Sequence, residues 1–275
     1  MRNLFDNHSH SNFSFDGMKT SIQASTESAA ARGLGGICFT DHCDFFIPSA
    51  KINEKKELDE VFDIKAQQSE IDRIQEMYPE VHILKGIEVG MEKSVRDKIR
   101  CHLSGHCFDQ ILASIHYLDD TDPWFGSYYK GKEWKEAYGH YLETLYEEMT
   151  WLEDFDIMGH FDYVVRYAPY PEKCMFYKDF GDIFDEMFRY LINEGKALEI
   201  NTKSYQNYYG RTPELDIDLL RRYLDMGGEI ISLGSDSHEP SRVGDRFEGY
   251  AELLKSLGFR WTAHYEKRKL VQLPL

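Results

Sequence analysis

The sequence has no apolar run approaching the roughly 18 residues that a membrane-spanning helix requires. Its opening residues, "MRNLFDNHSH", also lack the apolar core of a secretory signal peptide. We therefore expect a cytoplasmic protein with no membrane partner. The five cysteines are an odd number and include no C-x-x-C pair, which argues against a disulfide framework.

Positive charge is also scarce in this chain. There are 32 lysine and arginine residues against 48 aspartate and glutamate residues, for a formal net charge of −16. A nucleic-acid backbone is therefore not the expected main partner, because such partners bind basic surfaces. Bound divalent metals would offset part of the negative charge if some of the carboxylates serve as ligands.

The chain has no Ser/Gly/Pro-rich linker and no internal repeat, so residues 1–275 are expected to form a single domain. Within it, short apolar segments alternate with longer segments of helical periodicity. The predicted strands are residues 3–10, 35–42, 81–90, 110–118, 155–162, 196–202 and 229–238. The predicted helices are residues 21–33, 57–78, 133–152, 180–194, 214–226 and 245–257, with 91–108 left unassigned.

This alternation is typical of an α/β fold with a parallel sheet, and it fits both a closed barrel and an open, doubly wound sheet. No G-x-G-x-x-G motif follows the first predicted strand, which disfavours the dinucleotide-binding form of the open sheet. We therefore predict a (β/α)7 TIM-like barrel.

Histidines are concentrated at the carboxyl ends of the predicted strands. Six of the 11 histidines lie there, namely His8, His10, His42, His116, His160 and His238. In a parallel barrel these ends converge on one face, which carries the chemistry. The other five, interpreted as surface or core residues, are His82, His102, His106, His140 and His264.

Three carboxylates accompany the six histidines, at Asp16, Glu88 and Asp236. One catalytic zinc typically takes three protein ligands and keeps an open position, so nine side chains are enough for two or three metals. Such clusters suit phosphate esters, because the metals neutralise phosphoryl charge and lower the pKa of a bound water. Histidine and carboxylate ligands fit zinc, iron or manganese.

Taken together, H-x-H, T-D-H, a lone glutamate, two isolated histidines and D-x-H closely resemble the polymerase and histidinol phosphatase (PHP) family. The resemblance runs from His8 to Arg242. The chain length and the motif "HSHSNFSFDG" are similar to those of stand-alone members that act on L-histidinol phosphate in histidine biosynthesis. The resemblance implies a distorted seven-stranded barrel with a trinuclear metal centre.

The resemblance also implies which side chains hold each metal. His8, His10, Glu88 and Asp236 would hold one metal, and Glu88 would bridge to a second held by His116 and His160. Asp16, His42 and His238 would hold a third. Glu88, Asp236 and His238 are the expected catalytic residues.

Substrate contacts are predicted from loops on the same face. A guanidinium can bind two oxygens of a phosphate at once, which makes Arg166, Arg242 and Arg211 candidates. Ser237 lies at a strand end and is a further candidate. Surface ion pairs for the arginines and turn hydrogen bonds for the serine remain open alternatives. Long aromatic loops follow the fourth, fifth and sixth strands, where rings could stack on an imidazole.

The leading hypothesis is a metal-dependent phosphomonoesterase acting on L-histidinol phosphate through a metal-activated water. One alternative is the hydrolysis of another small phosphate ester, such as a sugar phosphate or a nucleotide. Another is a metal-loaded binding module without catalytic activity. A barrel amide hydrolase would often carry a carboxylated lysine between its metals, and only Lys203 lies near a suitable strand end.

Overall fold

A computed structural model of the chain describes residues 1–45, 59–119 and 121–275. The described strands are β1 Phe5–Ser9, β2 Gly36–Phe39, β3 His42–Cys43, β4 His82–Gly90, β5 Gln110–Ser114, β6 Ile157–Met158, β7 Ala197–Asn201, β8 Ile231–Gly234, β9 Trp261–Glu266 and β10 Lys269–Pro274. The described helices are α1 Ile22–Ala31, α2 Ile64–Met77, α3 Arg96–Leu103, α4 Trp134–Leu152, α5 Tyr163–Arg166, α6 Tyr177–Glu194, α7 Ile217–Asp225 and α8 Phe247–Leu257.

The main sheet is parallel, and its strands follow the order β1-β2-β4-β5-β6-β7-β8. Backbone hydrogen bonds join its two ends beyond β8. The N–H of Asp236 donates to the carbonyl of His8 at 2.8 Å, and the N–H of His10 donates to the carbonyl of Ser237 at 2.8 Å. The sheet therefore closes into a nearly complete barrel of seven strand positions over the described residues, as predicted, and the open sheet is excluded.

The barrel is distorted at its second strand position. β2 pairs with the first half of β4, from Gly36 against His82 to Phe39 against Lys85. The path is then interrupted at residues 40–41 and resumes as β3, which pairs with Glu88 and Val89 of β4. The predicted strand 35–42 spans this interruption.

Apolar burial explains the layers around the barrel. All five residues of β5 and of β7 are buried, because the strands face the barrel interior on one side and helices on the other. The helices bury one stripe each; α4, for example, buries Tyr138, Tyr141, Leu145 and Met149. No helix in the described ranges is both long and apolar enough to cross a bilayer.

Most helix predictions agree with the structure within a few residues, since each helix has a periodic apolar stripe. The predicted helix 57–78 is shorter in the structure, where α2 begins at Ile64 behind an Asp63 cap, and residues 57–58 lie outside the described part. The unassigned stretch 91–108 contains α3.

The antiparallel hairpin β9–β10 was not predicted from the sequence, and it contacts the amino end of the barrel through β9. His264 of β9 stacks on Phe5 of β1 with ring centroids 3.8 Å apart, and the Asn7 side chain donates to the carbonyl of Ala263 at 3.0 Å. His264 is therefore a buried packing residue. With the hairpin against this end, the site lies at the opposite, carboxyl end.

We expect Ile37→Ala to lower the free energy of unfolding by roughly 2–5 kcal/mol, because Ile37 is fully buried in β2 and its loss leaves a cavity. Urea denaturation measures this change. The matched control is Ile217→Ala at the exposed start of α7, for which we expect a change of about 0.5 kcal/mol or less. Equal losses in the two variants would contradict the packing described above.

Candidate metal centre

The nine side chains predicted as metal ligands meet at the carboxyl end of the barrel. They reach this rim from separate strands and loops, so the fold alone makes them neighbours. Ligand atoms within 4.8 Å of one another form four groups among the described residues: His8, His10 and Asp236; His8, Glu88 and His160; His42, Glu88 and His116; His10, Asp16, His42 and His238.

Glu88 lies at the centre of the cluster and is completely buried. Its Oε2 atom lies 3.2 Å from His8 Nε2, 3.2 Å from His42 Nδ1 and 3.4 Å from His10 Nε2. This oxygen accepts no hydrogen bond from the described residues. A buried carboxylate oxygen facing three imidazole nitrogens has the surroundings of a metal ligand.

The other oxygen of Glu88 faces the opposite side of the rim. Oε1 lies 3.0 Å from His160 Nε2 and 3.3 Å from His116 Nε2. Ser114 also donates a hydrogen bond to Oε1 at 2.6 Å and so fixes the carboxylate. The two oxygens thus face different histidine groups, which is the arrangement that a bridging carboxylate needs.

The spacing of the nitrogens fits metal coordination. Ligand atoms bonded to a tetrahedral zinc at about 2.0–2.1 Å lie roughly 3.3 Å from one another. His8 Nε2 lies 3.2 Å from His10 Nε2, and His116 Nε2 lies 3.4 Å from His160 Nε2. In each pair, both nitrogens also lie within 3.4 Å of the same Glu88 oxygen, so the three atoms could share one metal ion. The donor set and its spacing therefore fit divalent metal ions.

The fourth group is the most exposed. Asp16 Oδ2 lies 2.6 Å from His238 Nε2 and 3.5 Å from His42 Nε2. Burial opposes ionisation of Asp16, but the contacts with His238 and His42 outweigh it and hold the pKa of the carboxyl well below its usual range. Asp16 comes from the loop before α1 and closes the solvent side of the cluster.

Protons stabilise the cluster in the metal-free protein. Burial lowers the pKa of His8, but Glu88, Glu199 and Asp236 outweigh it and raise that pKa well above its usual value. The pKa of His42 rises to about 10 because Glu88 and Asp16 outweigh its burial. Burial lowers the pKa of His160 to about 4. Since a proton and a metal ion compete for the same nitrogen lone pair, metal binding would displace protons here.

Asp236 combines a strained backbone with two cationic neighbours. Its φ of 48° lies in the left-handed region, which non-glycine residues seldom adopt outside functional or turn positions. Arg166 Nη1 lies 2.9 Å from Oδ2, and Lys203 Nζ lies 2.9 Å from Oδ1. Burial raises the pKa of Asp236, but Lys203, Arg166 and His8 outweigh it and hold the pKa well below its usual value.

Two carboxylates behind the histidines were not predicted from the sequence. Asp44 Oδ1 lies 2.8 Å from His116 Nδ1, and its Oδ2 lies 3.2 Å from His42 Nδ1. Glu199 Oε1 lies 2.7 Å from His8 Nδ1. The sequence contains a hint of each carboxylate. Asp44 follows His42 by two positions, and Glu199 interrupts an apolar strand, where burying an unpaired acid would cost free energy.

A cavity of about 460 Å³ opens above the cluster. Its lining combines the metal-ligand candidates with aromatic and charged side chains: Phe15, Asp16, His42, Asp44, Glu60, Glu88, His116, Tyr117, Asp122, Trp124, Phe125, His160, Tyr163, Arg166, Tyr167, Lys203, Asp236 and His238. The aromatic residues of the loops after β5 and β6 thus reach the candidate site.

Of the four predicted substrate contacts, Arg166 alone is among the described residues that line this cavity. Arg166 ends α5, is buried, and donates through Nε to Ser204 at 3.0 Å. Its Nη2 atom is buried and has no hydrogen-bond partner in the described part of the chain. The side chain therefore has a free donor beside Asp236.

The structure places the other three predicted substrate contacts differently. Arg211 donates to the backbone carbonyls of residues 165, 168 and 172 and so fixes that loop. Arg242 pairs with Asp245, with Nη2 2.7 Å from Oδ2. The Ser237 hydroxyl donates to the carbonyl of Glu239 at 2.6 Å. Local backbone and side-chain partners occupy these groups, whereas the prediction placed them toward the substrate.

The structure thus defines a parallel barrel whose carboxyl rim carries a histidine- and carboxylate-rich site that fits several divalent metals. The model of the PHP domain family matches residues 6–203. The chain belongs to the PHP domain family.

Curated relatives match nearly the whole chain. A histidinol-phosphatase of Lactococcus lactis is 33% identical over 267 residues, which cover 96% of this chain and 95% of that protein. A protein of Clostridium acetobutylicum named "Probable histidinol-phosphatase" is 28% identical and is covered to 98%, with 96% of this chain aligned.

A solved structure agrees with the barrel described above. The crystal structure of the Lactococcus lactis histidinol phosphate phosphatase, complexed with zinc, L-histidinol and phosphate, superposes with a TM-score of 0.85. Its sequence is 30% identical to this chain, and the match covers 98% of this chain and 99% of that one.

We expect Glu88→Ala to lose bound metal and all measurable turnover, because Glu88 contacts two histidine groups and its removal weakens both. Metal content, measured by elemental analysis of the purified variant, is the test. Glu143→Ala on the exposed face of α4 is the matched control and should keep its metal. A Glu88→Ala protein with full metal content and normal activity would contradict the central position of this carboxylate.

Proposed function

We propose that this chain is a metal-dependent phosphomonoesterase that hydrolyses L-histidinol phosphate to L-histidinol and phosphate. The observation that carries the proposal is the set of buried histidines around Glu88, beneath a cavity that is also lined by the cationic side chains of Arg166 and Lys203. The full-length likeness to a phosphatase solved with zinc, L-histidinol and phosphate supports the choice of substrate. A cytoplasmic location is a further part of the proposal and is in keeping with the histidinol-phosphatase relatives.

The proposed cofactors are two or three divalent ions of zinc, iron or manganese. The proposed ligands are His8, His10, Glu88 and Asp236 for one ion, Glu88, His116 and His160 for a second, and Asp16, His42 and His238 for a third. When bound, these ions would neutralise charge on the phosphoryl group and lower the pKa of a water to make a nucleophile available near neutral pH. Glu88, Asp236 and His238 are the proposed catalytic residues.

Two side chains of the cavity are suited to hold the phosphate. Arg166 has a buried, unpartnered Nη2 atom beside the metal-ligand candidates. Lys203 Nζ lies 3.0 Å from His238 Nδ1 and lines the same cavity. Cations that are already held in position stabilise a developing negative charge without having to reorganise. We therefore assign phosphate binding to Arg166 and Lys203, and propose no direct contact for Arg211, Arg242 or Ser237.

Lys203 also bears on the alternative of a barrel amide hydrolase. Its Nζ atom forms an ion pair with Asp236, as expected of an ammonium group. An unmodified ammonium group suits the phosphate-binding role assigned to it here. The full-length likeness to a phosphatase favours that function over a hydrolase with a carboxylated lysine.

The aromatic mouth of the cavity is suited to a substrate with a planar ring. Phe15, Trp124 and Phe125 line the cavity and are 45%, 54% and 45% exposed. An exposed patch of aromatic side chains beside a cavity is typical of a ligand-binding surface. An imidazole could stack on these rings while the phosphate lies near Arg166.

A substrate panel under metal-replete conditions tests the proposed activity. We expect kcat/KM to be highest for L-histidinol phosphate, and lower for sugar phosphates, nucleotides and a generic aryl phosphate. Chelation should abolish activity and added divalent metal should restore it, because sites of this kind load reversibly. A higher kcat/KM for a sugar phosphate or a nucleotide would identify that ester, and not L-histidinol phosphate, as the substrate. Metal binding without hydrolysis of any ester would favour a non-catalytic module.

We expect Arg166→Ala to lower kcat/KM by roughly 2–4 kcal/mol of transition-state stabilisation, through loss of a charge-stabilising donor. Arg166→Lys should restore little, because lysine lacks the planar fork. Metal content should be unchanged, which separates this variant from ligand mutants. Steady-state kinetics with the proposed substrate provide the measurement.

The exposed Arg189 on α6, which pairs with Glu186, supplies the matched control for Arg166. Arg242→Ala tests whether the ion pair with Asp245 persists when substrate binds, and we expect it to have near-normal kinetics. Near-normal kinetics for Arg166→Ala would contradict the proposed phosphate contact. A large loss of kcat/KM for Arg242→Ala would instead assign phosphate binding to Arg242.

A further inference from the structure

Glu199 is a fully buried carboxylate whose contacts have no place in the ligand set proposed above. It lies on β7, in the interior of the barrel, below the rim. Oε1 lies 2.7 Å from His8 Nδ1, and Oε2 accepts a hydrogen bond from the backbone N–H of His160 at 2.6 Å. The Asn201 side chain also donates toward Oε2 at 3.3 Å.

These contacts join parts of the rim that are not adjacent in the barrel. His160 follows β6, next to β7, whereas His8 belongs to β1, on the far side of β8. One of the four candidate metal groups consists of His8, Glu88 and His160. Glu199 therefore contacts both histidines of that group: His8 at the ring nitrogen that faces away from Glu88, and His160 at its backbone N–H.

Gly234 of β8 makes this crossing possible. In the register of the sheet, Gly234 pairs with Asn201, two residues beyond Glu199. A Cβ atom at position 234 would overlap Glu199 Oε1 and would lie 2.6 Å from the Cβ of His8. Because Gly234 has no side chain, the Glu199 carboxylate can occupy the space beside it and reach from β7 to His8 on β1.

The same design recurs around the rim. A Cβ atom at Gly90 would overlap the Asp44 carboxylate, which contacts His42 and His116. Two carboxylates behind the cluster therefore each depend on a glycine of a neighbouring strand. This repetition argues that the space is kept for the carboxylates.

We propose that Glu199 is a positioning residue that orients His8 and His160 toward Glu88 and thereby sets the affinity of the centre for divalent metal. A carboxylate can only accept hydrogen bonds, so it keeps a proton of His8 on Nδ1 and makes Nε2 the nitrogen that would bind a metal. Carboxylates behind metal-ligating histidines have this effect generally. The inference rests on the metal centre proposed above.

Glu199→Gln is the deciding variant, because it keeps the shape of the side chain and replaces one acceptor with a donor. The amide NH₂ must then face either His8 Nδ1 or the N–H of His160. Facing His8, it would favour the tautomer with the proton on Nε2, which cannot bind metal. Facing His160, it would push that backbone away. Either outcome weakens the group formed by His8, Glu88 and His160.

The measurement is zinc affinity of the metal-free protein, by competition with a chromophoric chelator, alongside thermal unfolding of the same metal-free samples. We expect Glu199→Gln to weaken zinc binding by roughly 10–100-fold. Gly234→Ala should also weaken zinc binding, since its methyl group would meet both the Glu199 carboxylate and the Cβ of His8, so Glu199→Gln alone isolates the carboxylate. Gly249→Ala on α8 is the matched control, because a Cβ there meets no atom within 4 Å, and it should bind zinc normally.

Unchanged zinc affinity in folded Glu199→Gln protein would overturn the inference, even if its melting temperature fell, since that pattern belongs to a purely structural residue. Failure of Gly234→Ala to fold would leave Glu199→Gln to decide. Absence of zinc binding by the wild-type chain would instead overturn the proposed metal centre itself, so the two failures are distinguishable.

Discussion

The carboxylate of Glu88 imposes the main constraint on this structure. It is completely buried, and five imidazole nitrogens lie within 3.4 Å of its two oxygens. A buried charge of this kind is strongly destabilising unless cations or hydrogen-bond donors surround it. Protonated histidines meet that need in the metal-free protein, and divalent metals would meet it with the chemistry that a phosphatase requires.

The rest of the rim is organised to hold those nitrogens in place. Ser114 fixes one oxygen of Glu88, while Asp44 and Glu199 contact histidines from behind. This arrangement restricts the sequence and strains the backbone locally, because glycines must leave space for the carboxylates and Asp236 adopts a left-handed backbone conformation. Such costs are typical of functional sites, where geometry is selected over local stability.

The fold and the ligand candidates could be predicted from the sequence because one topological rule places them. Parallel strands that close into a barrel present all their carboxyl ends on one face, so histidines at strand ends must meet there. Glu199 and Asp44 were missed because only distances show which histidine each contacts. Arg211 and Arg242 lie in loops on this face, but the loop conformation directs their long side chains to local partners. The β9–β10 hairpin depends on contacts with β1, at the other end of the chain.

Anomalous diffraction at the zinc edge, from crystals of the zinc-loaded protein, tests the central claim most directly. The account predicts peaks on both sides of the Glu88 carboxylate, one within bonding distance of His8 and His10 and another within bonding distance of His116 and His160. Zinc bound elsewhere on the protein, with no peak within bonding distance of either Glu88 oxygen, would contradict it.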